Sequence, residues 1–300
     1  MKRLWWLLVP ALALAGFWFL RKNPPPPALP TWATASEGTE LRDGFRVPTG
    51  ALQLGPVLQP DPKTGWTAVL AVTGDPLEVW EDYLRQLSGR FPDRALDPES
   101  RRGCRTTRDE GFGCYISLRS PEPGGTEVIG ATLLNAPDDV TGRYLVVVES
   151  TRYQTTLDYP EVLPEPWKGG RAPDPKPAGK APQAGEPLAP STTAYDGDEN
   201  RYVVIEGSEL LAQWGVGSLT GGFEVLLAVS PGADPEAMGE AYSRQAAQYE
   251  EQTRVERFTS GNTEYIHYLP PGGAGGYQGD VWVVDPLGPG GFIFYSLIND

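Results

Sequence analysis

Apolar and polar positions fall into two similar series on either side of a proline-rich stretch. In the first, Gly65-Trp66-Thr-Ala-Val-Leu-Ala-Val72 is a strand-length apolar run rich in β-formers. The spacing then changes: Leu77, Trp80, Leu84, Leu87 and Phe91 recur at intervals of three and four, the stripe of a helix lying on a sheet. Asp75 is placed as an N-cap, with Pro76 at the first helical position and Glu78 two residues further. Beyond that helix the pattern predicts a hairpin, 101–108 and 112–119, turning at Asp109-Glu110-Gly111, and then strands near 127–135 and 143–151.

The second series repeats this order. Gly222-Phe223-Glu-Val-Leu-Leu-Ala-Val229 matches the first run 157 residues on, and Asp234-Pro235, Tyr242, Arg244 and Gln245 match Asp75-Pro76, Tyr83, Arg85 and Gln86 at 159. Cys114-Tyr115-Ile116 matches Glu264-Tyr265-Ile266 at 150. Offsets that drift at loops are what insertions into a duplicated unit produce. The helix stripe in this copy is Met238, Ala241, Tyr242, Gln245 and Tyr249, and strands are expected near 279–285 and 291–298.

The chain begins with a different pattern. Leu4 to Leu20 is seventeen residues without a charge, flanked by Lys2-Arg3 and Arg21-Lys22, about 25 Å if helical. Trp5, Trp6 and Trp18 lie near its ends. The expectation is an α+β chain: an N-terminal transmembrane helix followed by two similar modules, each a mostly antiparallel sheet with one packed helix. Its divisions are an anchor at 1–22, a Pro-rich spacer at 23–39, the first module at 40–153, a Pro-rich linker at 154–197 and the second module at 198–300. A cleaved signal peptide, with Ala13-Leu14-Ala15 as the cleavage site, is the rival reading of the first segment. The flanking charges favour the N-terminus inside, which places the protein in the cell membrane, single-pass, with its modules extracytoplasmic.

Composition narrows the function classes. Net charge is −14 and the pI about 4.6, which argues against nucleic acid as a partner. One His and two Cys exclude the usual Cys/His zinc site. Charge is also uneven: residues 194–300 carry −12, whereas Arg101, Arg102, Arg105 and Arg108 gather on one expected hairpin strand. Solvated surface charge is the simple account, and docking of that strand on the acidic module the other. Cys104 and Cys114 are equidistant from residue 109, so they face each other across the hairpin, within reach of a disulfide. At an offset of 150 their places in the second copy fall to Arg254 and Glu264, an opposite-charge pair.

Other chemistry is sparse. Asp196-Gly-Asp198-Glu-Asn200 opens like a calcium loop, making Asp196, Asp198 and Asn200 candidate metal ligands, but Arg201 stands where the loop needs Gly and Gly207 where it needs Glu. The Gly215–Gly222 segment precedes a strand instead of opening a helix, unlike a phosphate cradle, and Ser218 within it is not in a nucleophile elbow. His267 has no Cys or second His nearby and reads as a structural histidine. No cofactor and no catalytic residue is implied. The expected function is non-catalytic binding or scaffolding in the cell envelope, with the membrane and another envelope protein as partners. The alternatives are an envelope-polymer hydrolase using two carboxylates, one of raised pKa, and a calcium-responsive module.

Overall fold

The computed structural model describes residues 33–59, 65–90, 104–107, 111–122, 125–134, 143–153, 171–174, 182–188, 202–215, 222–246, 254–260, 262–269, 277–284 and 291–299. Its strands are β1 (Ala33–Ala35), β2 (Glu40–Arg42), β3 (Phe45–Arg46), β4 (Ala51–Leu58), β5 (Gly65–Val72), β6 (Cys104–Thr107), β7 (Gly111–Glu122), β8 (Gly125–Leu134), β9 (Leu145–Tyr153), β10 (Ser208–Gly215), β11 (Gly222–Val229), β12 (Arg254–Ser260), β13 (Thr263–Leu269), β14 (Tyr277–Val284) and β15 (Phe292–Asn299). Two helices, α1 (Pro76–Arg90) and α2 (Pro235–Ala246), follow β5 and β11.

One sheet runs β1-β4-β5-β9-β8-β7-β6 and another β10-β11-β15-β14-β13-β12; β2 and β3 form a small third pair. Without β1, the two large sheets have the same order position for position, and every pairing is antiparallel. The likeness extends to single hydrogen bonds. Gln86 takes the amide of Arg46 (2.8 Å) and gives to its carbonyl (3.2 Å); Gln245 does the same with Val203 (2.9 and 3.1 Å). Thr73 N–H donates to Gly50 O (2.7 Å) as Ser230 N–H does to Gly207 O (2.8 Å), and both glycines have positive φ.

Both helix starts are capped as the sequence leads one to expect. Asp75 Oδ1 accepts from Leu77 N–H (2.8 Å), and Asp234 Oδ1 from Glu236 N–H (3.0 Å). α1 buries Val79, Trp80, Tyr83, Leu84 and Leu87 against Leu70, Ile129, Val146 and Val148 of its sheet. α2 is placed closer to its own sheet: a Cβ on Gly239 would stand 2.2 Å from Val283 Cγ2.

Alternation along each strand sends the next residues to the opposite face. There Leu54, Leu58, Val69, Ala71, Leu145 and Val147 of the first sheet meet Leu211, Trp214, Leu226, Ala228, Trp282 and Phe294 of the second in one buried cluster. The molecule is therefore layered helix, sheet, sheet, helix. Gly55 permits the close approach, since a Cβ there would meet Leu226 at 3.2 Å and Phe292 at 3.3 Å. Tyr265 bridges the layers, its hydroxyl accepting from Gln59 N–H (3.2 Å) and facing Val57 O (3.2 Å).

Several expectations are corrected. The described chain is mostly β-sheet instead of α+β, because one short helix stands against seven strands in the first unit and one against six in the second, and the units join sheet to sheet. Among the described residues no helix is long and apolar enough to cross a membrane. The run at 4–20 lies outside the described residues, and the anchor, the single-pass membrane location and the extracytoplasmic placement are not supported. Of the spacer at 23–39, residues 33–35 pair as a strand with β4. The 154–197 linker is not simply solvated: Ala172 is buried in the first core, Tyr144 hydroxyl donates to Pro173 O (2.9 Å), and Leu188 is buried in the second core. Gly185 N–H to Val204 O (2.8 Å) repeats Gly38 N–H to Val47 O (2.8 Å), so the second unit already begins within that stretch.

Candidate functional site

Strand alternation places one carboxylate from each sheet in the shared layer. On β9, Leu145 and Val147 face the second sheet, and Glu149 follows them on the same side; on β11, Ala228 and Leu226 face the first sheet, and Glu224 precedes them. Glu224 stands between Trp214 on β10 and Ser296 on β15, its register partners on either side. The Ser296 hydroxyl donates to it (3.2 Å), and the Trp214 side chain hydrogen-bonds to it as well. Burial in the apolar layer pushes the Glu224 carboxyl up to about 8, and the charge of Glu149 pushes in the same direction. The two hydrogen bonds pull the other way and only partly offset this. Burial raises the Glu149 carboxyl too. A pair so placed holds a proton near neutral pH and can give or take one there.

Beside the pair runs an aromatic row. His267 stacks on Trp282 (centroids 4.6 Å apart), Trp282 on Phe294 (5.2 Å) and Phe294 on Trp214 (6.1 Å). His267 thus sits in a structural stack, on the face of the sheet that carries Trp282.

No protein-family model and no curated protein matches the chain. Among solved structures, a crystal structure of an acyl-CoA thioesterase II TesB2 from Mycobacterium marinum aligns with 81% of this chain and 95% of its own, at 11% identity and a TM-score of 0.14. A likeness that low carries no argument about fold or activity.

The residues singled out from sequence are not brought together. Cys104 and Cys114 are register partners on β6 and β7, joined as a disulfide with Cα atoms 3.9 Å apart, both buried on the helix side of the first sheet. Their places in the second unit are not Arg254 and Glu264: Arg254 faces Leu269, and Glu264 faces Thr259. Counting from each hairpin end, the matching pair is Arg257 and Ile266, and Arg257 reaches Glu236 on α2 instead of a cross-strand partner. Asp196, Asp198, Asn200, Ser218, Arg101, Arg102 and Arg108 lie outside the described residues. Among the described residues, the units dock through apolar sheet faces. Glu149 and Glu224 were not singled out by sequence reasoning. The available signal was a lone acid at an inward position of an otherwise apolar run, Gly222-Phe-Glu224-Val.

Proposed function

We infer that this is a non-catalytic binding or scaffolding protein whose two related units are fused through their sheets into one block, with a protein as partner. The supporting observation is the part of the first sheet that, among the described residues, the second leaves uncovered. The cross-strand row Val69–Val147–Thr132–Tyr115 starts inside the shared layer and ends on Tyr115, 51% exposed. Thr132, Gly130 and Val128 beside it are half-buried. A strand surface ending on an exposed tyrosine suits a protein partner, since tyrosine anchors such contacts at low entropic cost. The test is a photoreactive side chain at position 115, crosslinked in cells and read by mass spectrometry. A stoichiometric protein neighbour, lost when a charge is placed at Thr132, supports the reading; no neighbour contradicts it.

A second reading, a polymer hydrolase using two carboxylates, is favoured by the Glu149–Glu224 pair and the raised carboxyl of Glu224. Hydrolysis of a panel of glycans that disappears in Glu224→Gln would favour it over binding.

A further inference from the structure

Resting on the reading that this surface receives a protein, we propose that the partner is a second copy of this chain, the two copies meeting through their β7–β8 faces about a two-fold axis. The row Val69–Val147–Thr132–Tyr115 has a counterpart in the second unit, Leu226–Phe294–Trp282–His267, with each member on the equivalent strand and paired in the same order. There Phe294 and Trp282 are buried, in one cluster with residues of the first sheet. In the first unit the same row ends half-buried at Thr132 and 51% exposed at Tyr115. Among the described residues, one row lies under a sibling sheet and its twin does not.

What covers the row in the second unit points to the occupant. It is a sheet of the same fold, presented by the face opposite its helix. The second unit's face of that kind is already engaged, since Leu226, Trp282 and Phe294 lie in the shared layer. The sheet that can take the same place on the first unit is therefore the open face of another copy. The contact continues an interface the molecule already has, because Val69 and Val147 of the row lie inside that layer. Such a contact is isologous, each copy offering the residues it receives. Charge agrees with this placement. Residues 194–300 carry −12 of the net −14, so like charge opposes a contact between copies through the second unit. On β7 and β8 the described side chains of the open face, Tyr115, Val128, Thr132 and Leu134, are uncharged. Glu149 on β9 stands beside Gly130 and bounds this neutral patch, which centres the contact on Tyr115 and Thr132.

Sedimentation of the purified full chain over a range of concentrations reads the association. The expected result is a species of twice 32.6 kDa that gives way to the single chain on dilution. Thr132→Glu sets two like charges in one contact and is expected to weaken association on the order of a hundredfold. Val255→Glu, at an exposed position on the helix side of the second sheet, is expected to leave it unchanged. Should Thr132→Glu fail to fold, Tyr115→Glu places the charge at the exposed end of the row and is expected to act the same way. A single chain at every concentration overturns the proposal, as does a dimer that the folded charge variant leaves intact or that Val255→Glu weakens as much. A monomeric chain whose position 115 still crosslinks to a different protein in cells overturns the self-contact alone, whereas a position 115 with no neighbour removes the underlying reading as well.

Discussion

Glu149 and Glu224 occupy opposite places in equivalent cross-strand pairs of the two units. In the first sheet Glu149 on β9 faces Thr67 on β5; in the second, Glu224 on β11 faces Ser296 on β15. Thr67 and Glu224 are 157 residues apart, the offset that relates β5 to β11, and Glu149 and Ser296 hold the matching places on β9 and β15. Each unit thus keeps one carboxyl and one hydroxyl at this pair, with the carboxyl on a different strand in each. Stacking the sheets brings the two carboxyls into one layer, something neither unit does alone.

Stability should therefore fall as the solution becomes more alkaline. The carboxyl of Glu224 ordinarily titrates near 4.5 and in the fold near 8. Between these values the folded protein holds a proton that the unfolded chain has released, so the favourable contribution is complete below about 4.5 and gone above about 8. The slope is at most about 1.4 kcal/mol per pH unit. Melting curves across this range should show the decline in wild type and a flatter line in Glu224→Gln. A wild-type melting temperature that climbs with pH would count against the assignment.

The two helix tyrosines should respond differently to loss of the hydroxyl. The Tyr242 hydroxyl accepts from Ile205 N–H (3.0 Å) and is hydrogen-bonded to Ser208 Oγ (2.6 Å). The matching positions in the first unit are Pro48, which has no N–H, and Ala51, which has no hydroxyl, and the buried Tyr83 hydroxyl has no hydrogen-bond partner among the described residues. Tyr242→Phe should cost about 1–3 kcal/mol, and Tyr83→Phe close to nothing. Ala51→Ser should raise stability by about 1 kcal/mol by restoring the partner. Denaturant titration of the three variants checks this, and equal losses for the two Phe variants would refute it.

Glycines on the two helices should also behave oppositely. Gly239→Ala drives a methyl into Val283 and Tyr268, whose nearest atoms would lie 2.2 and 2.9 Å away, and should destabilise by about 1–3 kcal/mol or more. Gly89→Ala on α1 meets nothing within 4 Å and should gain up to about 1 kcal/mol. Thermal unfolding of both variants reads the contrast.

Removing the hairpin link should weaken the first unit. The disulfide closes a short loop, with a sequence separation of 10. The Cys104→Ser, Cys114→Ser double variant should lose about 2–3 kcal/mol. Thiol counting on the denatured, unreduced protein should find none, and two reactive thiols would show that the link does not form.

Local structure was legible where a residue acts on its near neighbours. Asp75 and Asp234 cap their helices because capping needs only an acceptor and the next turn's amides. The α1 stripe was read too narrowly: the sheet covers Val79 and Tyr83 as well as Trp80, Leu84 and Leu87. Runs such as Leu145-Val-Val-Val148 announced strands covered on both sides, but what covered the second side could not be read, since any apolar layer gives the same pattern. Residues 171–174 and 182–188 misled for another reason. Their composition is that of a linker, yet Ala172 and Leu188 are buried and the segment's pairing is made by backbone atoms, to which composition is blind. The leading apolar run set an expectation of an anchor that no described helix supports.

The central claim is that two copies of one unit share a core between their sheets, and a through-space contact tests it most directly. In methyl-labelled protein, the Leu226 methyl signals should show nuclear Overhauser contacts to the α-protons of Gly55, since a Cβ on Gly55 would lie 3.2 Å from Leu226 Cδ2. With both sets of signals assigned, the absence of that contact would contradict the packing of the two sheets.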